Sequence, residues 1–147
     1  MTEPPLTLRH PKLQSLLEFW RRQQADAAVP VAEDLDPEDL KEWLGNLLIM
    51  DVIEGDNFIY SYYGESFERA FGESMVGKSI ELLPDAQRAL LHDEYERARI
   101  GRAPIARVYT AEFDGKLATW ERLVLPLSTN GEKVDKLMVS AYQLGGH

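Results

Sequence analysis

The chain has 147 residues, 44% of them hydrophobic and 28% charged, which suits one soluble domain that buries a core without metal or disulfide staples. Its 25 acids against 16 bases give a formal net charge of −9, a balance that repels phosphate backbones and excludes a general electrostatic route to nucleic acid. With no cysteine, it cannot perform thiol catalysis, hold Cys-ligated zinc or form a flavin–cysteinyl photoadduct.

Residues 1–11 contain three prolines and are expected to form a loose arm without an apolar signal-peptide core. Leu13, Leu16, Leu17 and Trp20 then recur at i, i+3, i+4 and i+7, which predicts a helix from Lys12 to about Gln24. Phe19 lies off the centre of this stripe, so the helix is expected to pack on two surfaces or to meet a second subunit. Asp36-Pro37-Glu38-Asp39 reads as a capped start to a second helix, with Leu40, Trp43 and Leu44 as its apolar face and Gly45 as its stop. Leu47 to Ile53 is nearly continuous in apolar residues, as expected of a central strand covered on both faces.

Gly55-Asp56-Asn57 turns the chain into a second strand, Phe58 to Tyr63. Simple alternation puts Phe58, Tyr60 and Tyr62 on one face and Ile59, Ser61 and Tyr63 on the other. A short helix over 65–71 ends at Gly72, and Met75 to Lys78 forms a bend. Pro84 opens a long helix over about 85–100, with Leu91, Tyr95 and Ala98 as its stripe. Three strands follow, over about 105–113, 118–127 and 134–143, joined by Asp114-Gly115 and Asn130-Gly131. The Asn-Gly pair predicts a type I′ turn, which needs positive φ at both central residues. The fold class is α+β: an antiparallel sheet of five strands with helices inserted between its second and third. No apolar run approaches the ~18 residues of a membrane span, and a cytoplasmic location is expected.

Several short motifs punctuate this order: Phe19-Trp20-Arg21, Asp34-Leu35-Asp36-Pro37, Leu40-Lys41 and Leu48-Ile49-Met50-Asp51-Val52. Tyr60-Ser61-Tyr62-Tyr63-Gly64, Gly77-Lys78, Leu82-Leu83-Pro84 and Leu125-Pro126-Leu127-Ser128 continue the series. In order and spacing, over about residues 13–144, they resemble the PAS domain, a sensor and interaction module, and more narrowly stand-alone proteobacterial PAS proteins with an N-terminal helical extension. The resemblance implies a strand order of 2-1-5-4-3, with a flexible arm at 1–11, a two-helix extension at 12–45 and a PAS core at 46–147. It also implies a non-catalytic role in bacterial signalling, in which a cavity between sheet and helices holds a small ligand or is filled by side chains. Protein partners are expected, with a homodimer through Leu13, Leu16, Leu17 and Trp20.

Tyr60, Tyr62, Tyr109, Trp120 and Tyr142 are candidates to line the pocket, or equally to form cross-strand pairs. Asp51 and Arg122 are charges on otherwise apolar strands; each pairs across the sheet, sits at an edge or orients a polar ligand. His92 is the histidine inside a predicted helix and the candidate for a haem ligand, although it sits roughly 90° from the stripe centre at ~100° per residue. The adjacent acids Asp93 and Glu94 diverge on the helix and read as solvated surface. Arg97, Arg99 and Arg102 read as a solvated helix end. The chain contains no phosphate-binding glycine loop, nucleophile elbow or zinc-protease motif. A competing reading is a cone-shaped α+β enzyme such as an isomerase, with Asp51 beside Tyr60 or Tyr109. The strand order separates the two.

Overall fold

A computed structural model describes residues 7–53, 57–113 and 115–144. Its elements run α1 (Pro11–Gln24), β1 (Leu47–Ile53), β2 (Asn57–Tyr63), α2 (Glu65–Phe71), α3 (Asp85–Gly101), β3 (Ile105–Phe113), β4 (Lys116–Ser128) and β5 (Val134–Leu144). All five strands pair antiparallel in the order β2-β1-β5-β4-β3. β1 is thus flanked on both sides, as its nearly continuous apolar run predicts. That order removes the cone-shaped alternative. Asp51, its proposed acid, instead accepts an ion pair from Lys136 Nζ at 2.6 Å on the neighbouring strand.

The two faces of the sheet are covered differently. α1 lies on β4 and β5, while α3 packs against β3, β4 and β5. Leu13, Leu16, Leu17, Phe19 and Trp20 are all buried within the chain. The Trp20 indole N–H donates to Pro126 O at 2.8 Å, near the C-terminal end of β4. The stripe expected to meet a second copy is therefore used inside the molecule. Burying it on its own sheet removes apolar area from water without the entropic cost of association.

The predicted second helix is instead a series of 3₁₀ turns at Ala32–Asp34, Pro37–Leu40 and Leu44–Asn46. The Asp36 cap forms as expected, accepting Glu38 N–H at 2.9 Å. Buried Leu40 and Trp43 stand three residues apart, and that spacing matches the three-residue turn of a 3₁₀ helix. Trp43 leans on Phe19, with ring centroids 5.6 Å apart, and donates its indole N–H to Lys12 O at 2.9 Å.

The last part of the expected arm is also fixed. Leu8 is buried, and the backbone N–H groups of Arg9 and His10 donate to the buried carboxylate of Glu121 at 2.7–3.0 Å. His10 caps α1, its Nδ1 accepting Lys12 N–H at 3.1 Å, and its ring stacks on Tyr142 at 4.6 Å. One core cluster joins Leu8 and the α1 residues to those of the sheet. The extension and the described part of the expected core are therefore packed as a unit.

One turn and one strand differ from expectation for local reasons. The expected turn at Gly55-Asp56-Asn57 lies mostly outside the described residues. At the β4–β5 connection, pairing ends at Ser128↔Val134, which leaves a five-residue loop in place of a two-residue turn. Only Gly131 takes positive φ, at 84°, so the turn is not type I′. Side chains replace the missing ladder bonds. Ser128 Oγ accepts from Asn130 and Gly131 N–H, Asn130 Oδ1 from Glu132 and Lys133 N–H, and Asp135 from Thr129 N–H.

The second difference shapes the site. Met50 pairs with Tyr60 but Ile49 pairs with Tyr62, so Ser61 is an extra residue in β2. A bulge of this kind resets the alternation. Tyr63 joins the Tyr60 face, their rings 5.3 Å apart, and Tyr62 leaves it to donate its hydroxyl to Leu44 O at 2.9 Å. Gly64 then threads a gap where an added Cβ would stand 2.5 Å from Leu47 O and 2.7 Å from Leu44 O.

Candidate functional site

The inner face of the sheet and the pair α2 and α3 enclose a cavity of about 440 Å³. The sheet supplies Leu48 from β1, Tyr60 and Tyr63 from β2, Arg107 and Tyr109 from β3, Trp120 and Arg122 from β4, and Ala141 from β5. Ser66, Phe67, Ala70 and Phe71 of α2 face Gln87, Leu90, Leu91 and Tyr95 of α3. Phe71 and Leu90 are 40% and 50% exposed, so the opening lies between these two helices.

One wall is charged. Arg107 and Arg122 stand directly opposite each other in the β3–β4 register. Like charges in that position repel, and Glu94 resolves the conflict from α3. Its Oε1 accepts Arg122 Nε and its Oε2 accepts Arg107 Nε, each at 2.6 Å. A second bond links Arg122 Nη2 to the Tyr95 hydroxyl. Each guanidinium also lies over a ring: Arg107 is 4.9 Å from the Tyr109 centroid and Arg122 is 5.5 Å from that of Tyr95. Glu94 and Arg122 are both buried.

Burial alone would raise the Glu94 carboxyl, but the field and hydrogen bonds of Arg122 and Arg107 outweigh it and hold the group below its ordinary value. Burial would weaken Arg122, yet Tyr95 and Glu94 hold its pKa above the usual guanidinium range. The triad stays ionised. The tyrosines move the other way: desolvation raises Tyr60, Tyr63 and Tyr95, only partly opposed by Arg122, so all three remain neutral hydroxyls. At neutral pH the wall offers two cations and several phenols, with the compensating carboxylate set behind them.

Of the predicted pocket residues, the structure brings together Tyr60, Tyr109, Trp120 and Arg122. Tyr62 leaves through the bulge. Tyr142 leaves by parity, because Ala141 points inward and its neighbour stacks on His10 over the outer face. His92 does not line the cavity; it packs edge-on to Phe58 with centroids 5.7 Å apart. An axial haem ligand would have to point into the hollow, so this geometry lends the haem reading no support. Among the described residues no three His, Asp or Glu side chains gather as a metal would require. Sequence reasoning missed Glu94, Arg107 and Tyr63. The signal for Glu94 was present, since 91, 94, 95 and 98 form an i, i+3, i+4, i+7 set, and the acid is buried with its stripe.

A family model described as a PAS domain matches residues 8–140. The chain belongs to the PAS domain family. No curated protein matches it in sequence. Among solved structures, the PAS domain of BvgS from Bordetella pertussis is similar, with a TM-score of 0.58, 11% identity, and 75% of this chain covering 87% of that one. VqmA of Vibrio cholerae gives a TM-score of 0.60 at 12% identity over 76% of this chain and 52% of its own, so this chain spans about half of VqmA. A sensory box sensor histidine kinase of Vibrio cholerae gives 0.51 at 18% identity, over 74% and 90% of the two chains. At these identities the likeness is one of fold. In this PAS domain the charged chemistry of the cavity is concentrated in the Arg107–Glu94–Arg122 triad.

Proposed function

We propose that this PAS domain is a non-catalytic sensor module that takes a small ligand between its sheet and α2–α3 and passes the bound state to protein partners in signalling. The observation that carries the reading is the cavity itself: about 440 Å³, lined by aromatic rings and two paired cations, and open between two helices. Its volume falls within the range of small-molecule sites. The fold is shared with a protein described as a sensor histidine kinase, and with VqmA, which has also been solved bound to DPO. The non-catalytic part rests on the site's chemistry. The triad consumes its own acid in ion pairs, and Tyr60, Tyr63 and Tyr95 are held as phenols, so none of these described groups is poised to take a proton near neutral pH.

Helix α1 and the 8–10 segment support the relaying part, because they clamp onto β4, the strand that carries Arg122 and Trp120 into the cavity. A cytoplasmic location accords with the described helices, none of which is long and apolar enough to cross a membrane. The test is native mass spectrometry beside denaturing mass spectrometry on protein incubated with a cell extract. The expected result is an added small mass that denaturation releases, together with a raised melting temperature. A bare polypeptide mass under both conditions, with no thermal shift in the extract's small-molecule fraction, refutes the reading.

A further inference from the structure

Resting on the ligand-site reading above, we propose that the cavity is built for a planar organic carboxylate, its carboxyl group on Arg107 and Arg122 and its flat body against Tyr60, Tyr109 and Trp120.

Charge is the first argument. Arg107 and Arg122 are the charged residues of the lining, and both are cations, because Glu94 lies behind the wall and not on it. The triad as a whole carries one positive charge in excess. Arg122 and Glu94 are buried and the Arg107 side chain is 27% exposed, so the excess charge is only partly solvated; that costs free energy, which a monoanion offsets.

Hydrogen bonding gives the second argument. Each guanidinium offers five N–H donors and no acceptor. Among the described residues, Arg107 uses its Nε on Glu94, and Arg122 uses Nε on Glu94 and Nη2 on Tyr95. Both Nη groups of Arg107 and the Nη1 of Arg122 remain for a guest. The hydroxyls of Tyr60 and Tyr63 likewise bond to no described residue, although both rings line the cavity and both lie in the field of Arg122. The wall therefore presents donors in one place. What answers a group of donors carrying positive charge is a charged acceptor with two oxygens.

Shape is the third. Apart from Ser66 and Gln87, the remaining lining is aromatic and aliphatic, with Leu48, Phe67 and Leu91 around the same hollow as Tyr109 and Trp120. A bare inorganic anion would satisfy the guanidinium groups and leave that apolar surface unfilled. A ring bearing a carboxylate satisfies both.

The experiment is calorimetric titration with benzoate, phenylacetate and indole-3-acetate, each against its neutral primary amide, and with inorganic phosphate. The parent and the Arg107→Gln variant are compared. This variant leaves the Arg122–Glu94 pair in place and makes the triad neutral, and its thermal melt reports that it folds. The expected result is a carboxylate at least about tenfold tighter than its amide in the parent, as a charge-assisted pair supplies, with the ratio falling towards one in Arg107→Gln while amide binding persists. Equal affinities in the parent, or a ratio unchanged by Arg107→Gln, overturn the carboxylate assignment and leave the ligand site standing on the amide binding. Phosphate binding as tightly as the best carboxylate overturns the planar body. Binding of no probe, charged or neutral, overturns the ligand-site reading itself.

Discussion

Replacing Glu94 by Gln tests whether the triad holds α3 to the sheet. Two Nε–Oε contacts of 2.6 Å link this one carboxylate to β3 and β4. Removing one partner of a buried ion pair costs about 3–5 kcal/mol. Gln keeps the shape and one carbonyl acceptor, so the lower end applies, about 3 kcal/mol. In a domain of this size that lowers the melting temperature by about 6–12 °C. Urea unfolding at neutral pH is the assay, with a fall in midpoint and an unchanged m-value as the expected result. The double variant Glu94→Gln/Arg107→Gln should recover part of the loss, because it removes one of two cations left facing each other across the ladder. Acid gives an independent check. The folded carboxyl titrates below its ordinary value, so its contribution is full above the unfolded pKa and is lost as pH falls through the folded one. Glu94→Gln should therefore flatten the parent's loss of stability below about pH 4.3. A loss under about 1 kcal/mol, with the acid limb unchanged, would show that burial and not charge secures the helix.

Three further outcomes are expected. Gly64→Ala should cost about 2–3 kcal/mol in urea unfolding, because the new methyl meets Leu47 O at 2.5 Å with backbone on either side; a cost below half of that would mean that the β2–α2 junction gives way easily. Glu121→Ala should speed hydrogen exchange at Arg9 and His10 by tenfold or more, about the worth of one charge-assisted bond, and unchanged protection there would dismiss the carboxylate as a clamp. Trp20→Phe should lower stability by about 1–2 kcal/mol through the lost bond to Pro126, and a midpoint equal to the parent's would contradict that assignment.

The strands were legible from local signals: a nearly continuous apolar run at β1, alternating aromatic residues at β2, and apolar and β-branched stretches separated by Asp-Gly and Asn-Gly at β3, β4 and β5. Their order came from the family resemblance, since no local signal specifies which strands become neighbours. The cavity was half legible. Tyr109, Trp120 and Arg122 obey simple alternation, so parity placed them together. Tyr62 and Tyr63 exchanged places because one extra residue, Ser61, resets parity, and nothing in the tetrapeptide itself announces a bulge. Glu94 was misread because acids are usually exposed, a prior that its position on the apolar stripe should have overridden. The α1 stripe was read correctly as apolar, with packing inside the chain and a second copy both open and the second copy chosen, for a helical wheel shows that a face is covered but not by what.

β4 turns Arg122 towards the hollow and its chain neighbour Glu121 towards the opposite side, where it grips the start of α1. The two side chains share one peptide unit. A single strand, one residue thick, is thus all that separates the floor of the hollow from the anchor of the leading helix.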